Sequence, residues 1–186
     1  MPAQKRKKRE WYQIVALEPF KGKELGETLI LDPTKSVGRC LNVSLADLIN
    51  DIKRANIYVR FRIVDFTEGK LFAKPVGYQI SSTIIKRMVR RRTTKIEDSF
   101  IAQTVDGSKL RIKPFMVTRA RVQNAVARGL RKTAQEKLID LISKTEPSKL
   151  IEDIVKHKLQ TNLFKQLNKL YPLKHFEIRK LDFLNK

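Results

Sequence analysis

Strict alternation of apolar and polar residues predicts two β-hairpins in the middle of the chain. In residues 57–66, isoleucine, valine and phenylalanine alternate with tyrosine and arginine, which is the pattern of a strand with one buried face. A turn at 67–70 leads to a return strand over 71–80. The second hairpin is predicted over 96–117 and turns at Asp106-Gly107, a pair that favours a tight turn.

Shorter β-prone runs precede the hairpins, at residues 11–15, 25–31 and 37–43. Ser44 follows the third run. Because serine is a favoured N-cap and Asp47 lies three residues further on, close to a capping box, we predict a short helix that begins after Ser44.

Each predicted hairpin is followed by a basic helix. The first covers residues 83–92, and the second covers 120–143, where apolar residues recur about every four positions. One or two further amphipathic helices are expected between residues 147 and 170. Residues 175–184 then form a closing strand.

The chain divides into a basic arm, residues 1–10, and one α+β domain, residues 11–186. Strands and hairpins fill this domain to about residue 118, and residues 120–170 are mainly helical. Within the arm, Lys5–Arg9 are five consecutive basic residues. Such a run repels itself and cannot bury apolar surface, so we expect the arm to be disordered in the free protein.

Charge identifies the class of partner. The chain has 40 Lys and Arg against 19 Asp and Glu, a formal net charge of +21. This charge destabilises a compact monomer by self-repulsion, whereas solubility needs a magnitude of only roughly 2–8. Residues 84–137 hold 15 basic residues and four acids, so the charge is concentrated in a segment predicted to be ordered. A phosphate polyanion, foremost RNA in a ribonucleoprotein, is therefore the expected partner.

The two basic helices contain the main candidate contacts. On a helix over 83–92, Lys86 and Arg90 would be neighbours, as would Arg87 and Arg91, and like charges at that spacing destabilise an isolated helix unless phosphates neutralise them. In the second helix Arg121 and Arg128 would share one face. The full set of candidate RNA-binding residues is Lys5, Arg6, Lys7, Lys8, Arg9, Arg39, Arg60, Arg62, Lys86, Arg87, Arg90, Arg91, Arg92, Lys95, Arg111, Lys113, Arg119, Arg121, Arg128, Arg131 and Lys132.

Candidate chemistry is sparse. Cys40 is the single cysteine, which rules out an internal disulfide or a thiolate zinc site and suits a reducing compartment. His157 and His175 have no triad or zinc spacing. Glu97 and Asp98 could hold Mg²⁺, but neighbours on a strand face opposite sides. No apolar run approaches the ~20 residues of a membrane helix. We expect no catalysis, cofactor, metal, small-molecule substrate or membrane association.

Two other functions stay open on these residues. A DNA-compacting or DNA-regulating protein would have the same charge, and competition between structured RNA and duplex DNA at fixed salt distinguishes the two. An RNA-processing enzyme would show Mg²⁺-dependent cleavage that Glu97→Ala or Asp98→Ala abolishes.

Several motifs agree with one known family in order and spacing. Gly38-Arg39 followed by Val43–Leu48 resembles the signature of the S-three-A-e, or eS-one, family of small-subunit ribosomal proteins of archaea and eukaryotes. Further agreement comes from Trp11-Tyr12, Gly26–Leu29, Arg121–Gln123, Arg131-Lys132, Tyr171–Leu173 and Ile178–Lys180. The resemblance covers about residues 11 to 181, and the length is similar to that of archaeal members.

The resemblance implies an α+β fold with an antiparallel, partly closed β-barrel flanked by helices. It also implies a cytoplasmic, structural role on the platform of the small subunit, near the messenger exit and the 3′ end of the small-subunit rRNA. Its partners would be that rRNA and neighbouring ribosomal proteins, with messenger RNA near the exit as a further candidate. Asn42 departs from the family, which usually has an acid there, so a salt bridge to a basic neighbour would be missing.

Overall fold

The computed structural model describes residues 9–184, which form a mixed α+β structure. The strands in this range are Glu10–Ala16 (β1), Glu24–Ile30 (β2), Cys40–Ser44 (β3), Ile57–Thr67 (β4), Lys70–Ile80 (β5), Lys95–Glu97 (β6), Phe100–Gln103 (β7), Lys109–Thr118 (β8) and Leu173–Phe183 (β9). The helices are Leu45–Ile49 (α1), Ser82–Met88 (α2), Asn124–Ser143 (α3), Pro147–Val155 (α4) and Lys158–Asn168 (α5). Residues 1–8 of the predicted disordered arm, 1–10, lie outside the described range, and β1 begins at Glu10.

The strands form one sheet in which β5 is the branching strand. One edge of β5 pairs with β4 along its length, and β4 pairs with β3. The other edge is shared, because Leu71–Ala73 pair in parallel with β1 and Gly77–Gln79 pair antiparallel with β9. From there the sheet continues through β8 to β6 and β7, and on the other side through β1 to β2.

This branching corrects the expected barrel. The path through the sheet starts at β2 and ends at β6, and no pairing joins these two strands within residues 9–184. Because β1 and β9 share one edge of β5, the sheet divides at that strand and does not close on itself. The α+β fold is confirmed, whereas the partly closed barrel is not supported.

Two apolar clusters hold the sheet and helices together. One joins the ends of β5, β8 and β9 to α3, α4 and α5, with Phe115, Leu138 and Ile142 fully buried. The other lies between β1 and the starts of β4 and β5. Ile57 and Phe183 pack against both clusters, so the two are continuous at these side chains.

Local turn and cap chemistry agrees with the sequence. The Ser44 hydroxyl accepts a hydrogen bond from the Ala46 N–H at 3.2 Å and so caps α1 as predicted. Gly107 has φ +75° in the predicted turn, a conformation that favours glycine. Two strands differ from the prediction. β3 begins at Cys40, after a 3-10 turn at Pro33–Ser36, and the outgoing strand of the second hairpin is broken between β6 and β7.

Candidate nucleic-acid interface

Three consecutive arginines form an exposed turn after α2. The prediction that residues 83–92 are helical throughout is wrong at its end, because α2 ends at Met88 and Val89 is extended with ψ 121°. The Arg90 carbonyl accepts hydrogen bonds from the N–H and hydroxyl of Thr93, at 3.3 and 2.7 Å. Arg92 has φ +65°. The Lys86–Arg90 and Arg87–Arg91 helical pairs therefore do not exist, and the turn extends Arg90, Arg91 and Arg92 into solvent.

Two threonines, the half-buried Thr94 and the buried Thr118, join this turn to the segment before α3. The Thr94 N–H donates to the Thr118 hydroxyl at 3.0 Å, and the Thr118 N–H donates to the Thr94 carbonyl at 3.1 Å. The Val122 N–H donates to the Thr94 hydroxyl at 3.1 Å. Thr118 is fully buried. These bonds hold the turn Arg90–Arg92 beside the segment Arg119–Arg121, although the two are far apart in sequence.

Helix α3 extends the basic surface. It begins at Asn124, so Arg121 precedes the helix and does not share a helical face with Arg128, which corrects the prediction. Leu130 and Ala134 pack on the core, and the first acid of the helix is Glu136. We define the arginine surface as the exposed cations of the turn, the segment and α3, namely Arg90, Arg91, Arg92, Arg119, Arg121, Arg128, Arg131 and Lys132.

No carboxylate among residues 9–184 forms an ion pair with a cation of the arginine surface. Lys86 and Arg87 of α2 are likewise exposed and without an ion pair in that range. Arginine presents a planar fork of donors that matches phosphate oxygens, and it stays charged at any working pH. Guanidinium groups that have no carboxylate partner and are held in fixed positions can form charge-assisted hydrogen bonds to phosphates that are fixed in position as well.

Several cations on the sheet, unlike those of the arginine surface, form ion pairs with carboxylates. Asp182 of β9 accepts from Arg60 at 3.5 Å and pairs with Lys180 at 2.7 Å. Glu97 pairs with Lys95 at 3.0 Å and with Arg179 at 3.1 Å. Candidates Arg60 and Lys95 are therefore partly neutralised, and Arg179 and Lys180, which belong to the family motif Ile178–Lys180 but were not among the candidate contacts, are further basic residues of the sheet. No local pattern identifies them, because their register beside β8 arises from long-range pairing.

Gly77 and Asn42 allow this arrangement on the sheet. Register places Asn42, Arg60, Gly77 and Asp182 side by side across four strands. A Cβ on Gly77 would lie 3.0 Å from the Leu181 carbonyl and 3.1 Å from Asp182 Oδ1, so glycine leaves the space through which Arg60 reaches Asp182. Arg60 Nε also donates to Asn42 Oδ1 at 3.4 Å. The basic neighbour of the family's usual acid is therefore Arg60.

The remaining candidates are separate from the arginine surface. Arg9 and Arg39 are exposed at the start of β1 and before β3. Arg62 is half-buried, and its Nε has no hydrogen-bond partner among the described atoms. Arg111 and Lys113 lie on β8, where Lys113 is directly opposite Lys180. The candidate contacts Lys5, Arg6, Lys7 and Lys8 fall outside the described residues.

The groups that could do chemistry have structural partners. Glu97 is held by Lys95 and Arg179, and no cluster of metal-ligating side chains is present in the described part of the chain. His157 Nε2 lies 3.0 Å from Glu177 Oε1. This hydrogen bond raises the pKa of His157 above its ordinary value of 6.5. Burial instead lowers the pKa of His175. Within residues 9–184, no helix is long and apolar enough to cross a membrane.

Comparison with known proteins gives one consistent family. The model of the Ribosomal S3Ae family matches residues 3–186. The small ribosomal subunit protein eS1 of Methanothrix thermoacetophila is 31% identical over 182 residues, covering 98% of this chain and 86% of that protein. Proteins of the same name from Archaeoglobus fulgidus and Methanothermobacter thermautotrophicus are 30% and 28% identical, covering 95% and 94% of this chain and 84% and 89% of their own lengths.

Proposed function

The chain belongs to the Ribosomal S3Ae family, and from this premise we propose that it is a non-enzymatic, structural protein of the small ribosomal subunit that binds ribosomal RNA. The observation that carries the proposal is the arginine surface. Its cations are exposed and unpaired within residues 9–184, and hydrogen bonds of Thr94 and Thr118 hold the turn Arg90–Arg92 beside the segment Arg119–Arg121. Double-helical RNA is recognised mainly through its shape and backbone, so we expect phosphate contacts and few base contacts.

The proposal assigns roles to the other parts of the chain. Residues 11–186 act as one RNA-binding domain, supported by Ile57 and Phe183, which pack against both apolar clusters. The arm with Lys5–Arg9 inserts between RNA helices and orders on assembly. Family resemblance supports a site on the platform near the messenger exit and the 3′ end of the rRNA, with neighbouring ribosomal proteins and messenger RNA as further contacts, in cytoplasmic ribosomes.

Co-sedimentation tests this proposal. The tagged full-length chain is expected to migrate with small subunits through a density gradient at moderate salt and to be absent from large subunits. Because the attraction to phosphate depends on counterion release, free chain should dissociate from non-cognate RNA as salt rises while incorporated chain stays in the particle. A chain that remains at the top of the gradient, or distributes equally between both subunits, contradicts the proposal.

A further inference from the structure

The hairpin of β1 and β2 has an outward face whose chemistry differs from the rest of the molecule. Trp11 and Leu29 lie directly opposite each other on this face and are 66% and 41% exposed. Leu31, which follows β2, is 45% exposed. Single exposed apolar residues are normal, but three neighbours that include a tryptophan mark an interaction surface.

The fold does not require Trp11. The opposite face of the hairpin supplies the packing, with Ile14 and Ile30 buried and the Tyr12 ring in edge contact with Phe66 at 5.5 Å. Trp11 alternates with these residues and faces away from them. A tryptophan in water leaves a large apolar area unburied, and tryptophan is among the residues most enriched at the energetic centres of protein interfaces.

The hairpin is also acidic, although the exposed Arg9 directly precedes β1. Residues 10–32 hold five carboxylates, two lysines and no arginine, within a chain of net charge +21. Glu27 and Glu24 stand opposite Gln13 and Val15, on the same face as Trp11. Both glutamates are exposed and have no ion pair with any residue from 9 to 184. Phosphates would be repelled here, whereas lysine and arginine side chains would be attracted.

We propose that the outward face of the β1–β2 hairpin docks a basic protein of the same small subunit. Trp11 and Leu29 would bury against an apolar patch of that partner, and its lysines or arginines would pair with Glu24 and Glu27. The proposal rests on the function proposed above and adds the surface and the chemistry of one protein contact. Charges on β2 could serve only to prevent edge-to-edge pairing, but that role does not account for Trp11.

Site-specific photocrosslinking in assembled subunits tests the proposal. The full chain, with p-benzoylphenylalanine in place of Trp11, is incorporated into small subunits, irradiated, and the adduct is identified by mass spectrometry. The matched control places the same probe at Ile101, which is 52% exposed and lies opposite Arg111 on β8. We expect the probe at position 11 to crosslink to one basic ribosomal protein and the probe at 101 not to reach that protein.

Charge variants sharpen the result. In a chain that keeps the position-11 probe, Glu24→Lys with Glu27→Lys is expected to reduce the protein adduct by about tenfold or more, and the Glu24→Gln, Glu27→Gln pair by less. Crosslinking to rRNA, to an acidic protein, or to nothing while the subunit assembles overturns this inference alone. Failure of the wild-type chain to enter small subunits overturns the proposed function, and the inference with it.

Discussion

The arginine surface and the charges of β9 use similar cations in opposite ways. In the arginine surface eight exposed cations lack a carboxylate partner within residues 9–184. On β9 each charged residue from Glu177 to Asp182 is paired, through His157, Glu97 or Arg60. We call this set the β9 charge network. The cations of the first region can still be neutralised by an external polyanion, whereas those of the second are already paired with charged groups of the same chain. The number of basic residues therefore does not distinguish the two regions, whereas the presence or absence of carboxylate partners does.

Charge reversal should separate the two regions most strongly. Replacing Arg90 and Arg91 of the arginine surface, together with the exposed Arg87 of α2, with glutamate is expected to abolish incorporation into small subunits. The slope of log affinity for rRNA against log salt should fall by about 3, roughly one for each lost phosphate contact. All three side chains are exposed, so circular dichroism should show an unchanged fold.

The control for that experiment has the same change in charge at a different place. Lys149 and Lys165 are exposed on α4 and α5, Lys169 is exposed directly after α5, and all three lie outside the arginine surface. Their replacement with glutamate should leave incorporation near normal in gradient sedimentation. Equal loss in both triple variants would mean that total charge, and not the arginine surface, drives binding.

Breaking the hydrogen bonds of Thr118, which lie beneath the arginine surface, should give the next largest effect. Thr118 is fully buried, and its hydroxyl accepts from the Thr94 N–H and donates to the Ala120 carbonyl at 2.6 Å. Thr118→Val keeps the shape but leaves both backbone groups unpaired, which should cost about 1–3 kcal/mol in urea unfolding. Thr118→Ser keeps the hydroxyl and should recover the hydrogen-bond part of that loss. Because the bond fixes the turn next to Arg119, rRNA affinity should fall with valine and not with serine.

The β9 charge network should give the protein a pH-dependent stability that the arginines do not. The pKa of His157 is raised in the folded protein by its hydrogen bond to Glu177, so its contribution is complete below the ordinary value of 6.5 and is lost as pH rises through the folded pKa. His175 has the opposite sign, because burial lowers its pKa and protonation below 6.5 opposes folding.

Thermal unfolding from pH 5 to 9 distinguishes the two histidines. In His157→Gln the fall in melting temperature between neutral and alkaline pH should be smaller than in the wild type. In His175→Gln the fall on the acid side should be smaller instead. Binding of rRNA over the same interval should keep its dependence on Arg90 and Arg91. An unchanged pH profile in His157→Gln would contradict the assignment.

The sequence was informative where the structure depends on local chemistry. The alternation around Val59 and Phe61 predicts β4 because one face of that strand is buried, and the Ser44 cap depends only on its near neighbours. The end of α2 could not be predicted in this way. Arginine is a good helix former, so local propensity does not predict the end of α2 at Met88. The residues after Arg92 are held by hydrogen bonds between Thr94 and Thr118, 24 residues apart.

Long-range pairing limits the prediction of the candidate site in the same way. Arg60 and Asp182 are 122 residues apart in sequence and meet only because β4, β5 and β9 lie side by side. A local pattern identifies Arg60 as an exposed cation, but it cannot say that Asp182 neutralises it. The sequence identifies the unpaired candidates as part of a basic segment. That they form no ion pairs can be seen only in the folded structure.

The smallest expected effect comes from adding a carboxylate beside the β9 charge network. Asn42→Asp restores the acid usual in the family and places a second carboxylate beside Arg60, whose Nε lies 3.4 Å from Asn42 Oδ1. Arg60 is partly exposed and already paired with Asp182, so the gain in the free energy of unfolding should be at most about 1 kcal/mol. Asn42→Ala, which removes the acceptor, is the control and should be slightly less stable than the wild type.

Affinity for rRNA should stay within a factor of about two in both variants, because Arg60 lies outside the arginine surface. A marked loss of affinity in Asn42→Asp would mean that Arg60 itself meets phosphate, and the division between the two regions would have to be redrawn.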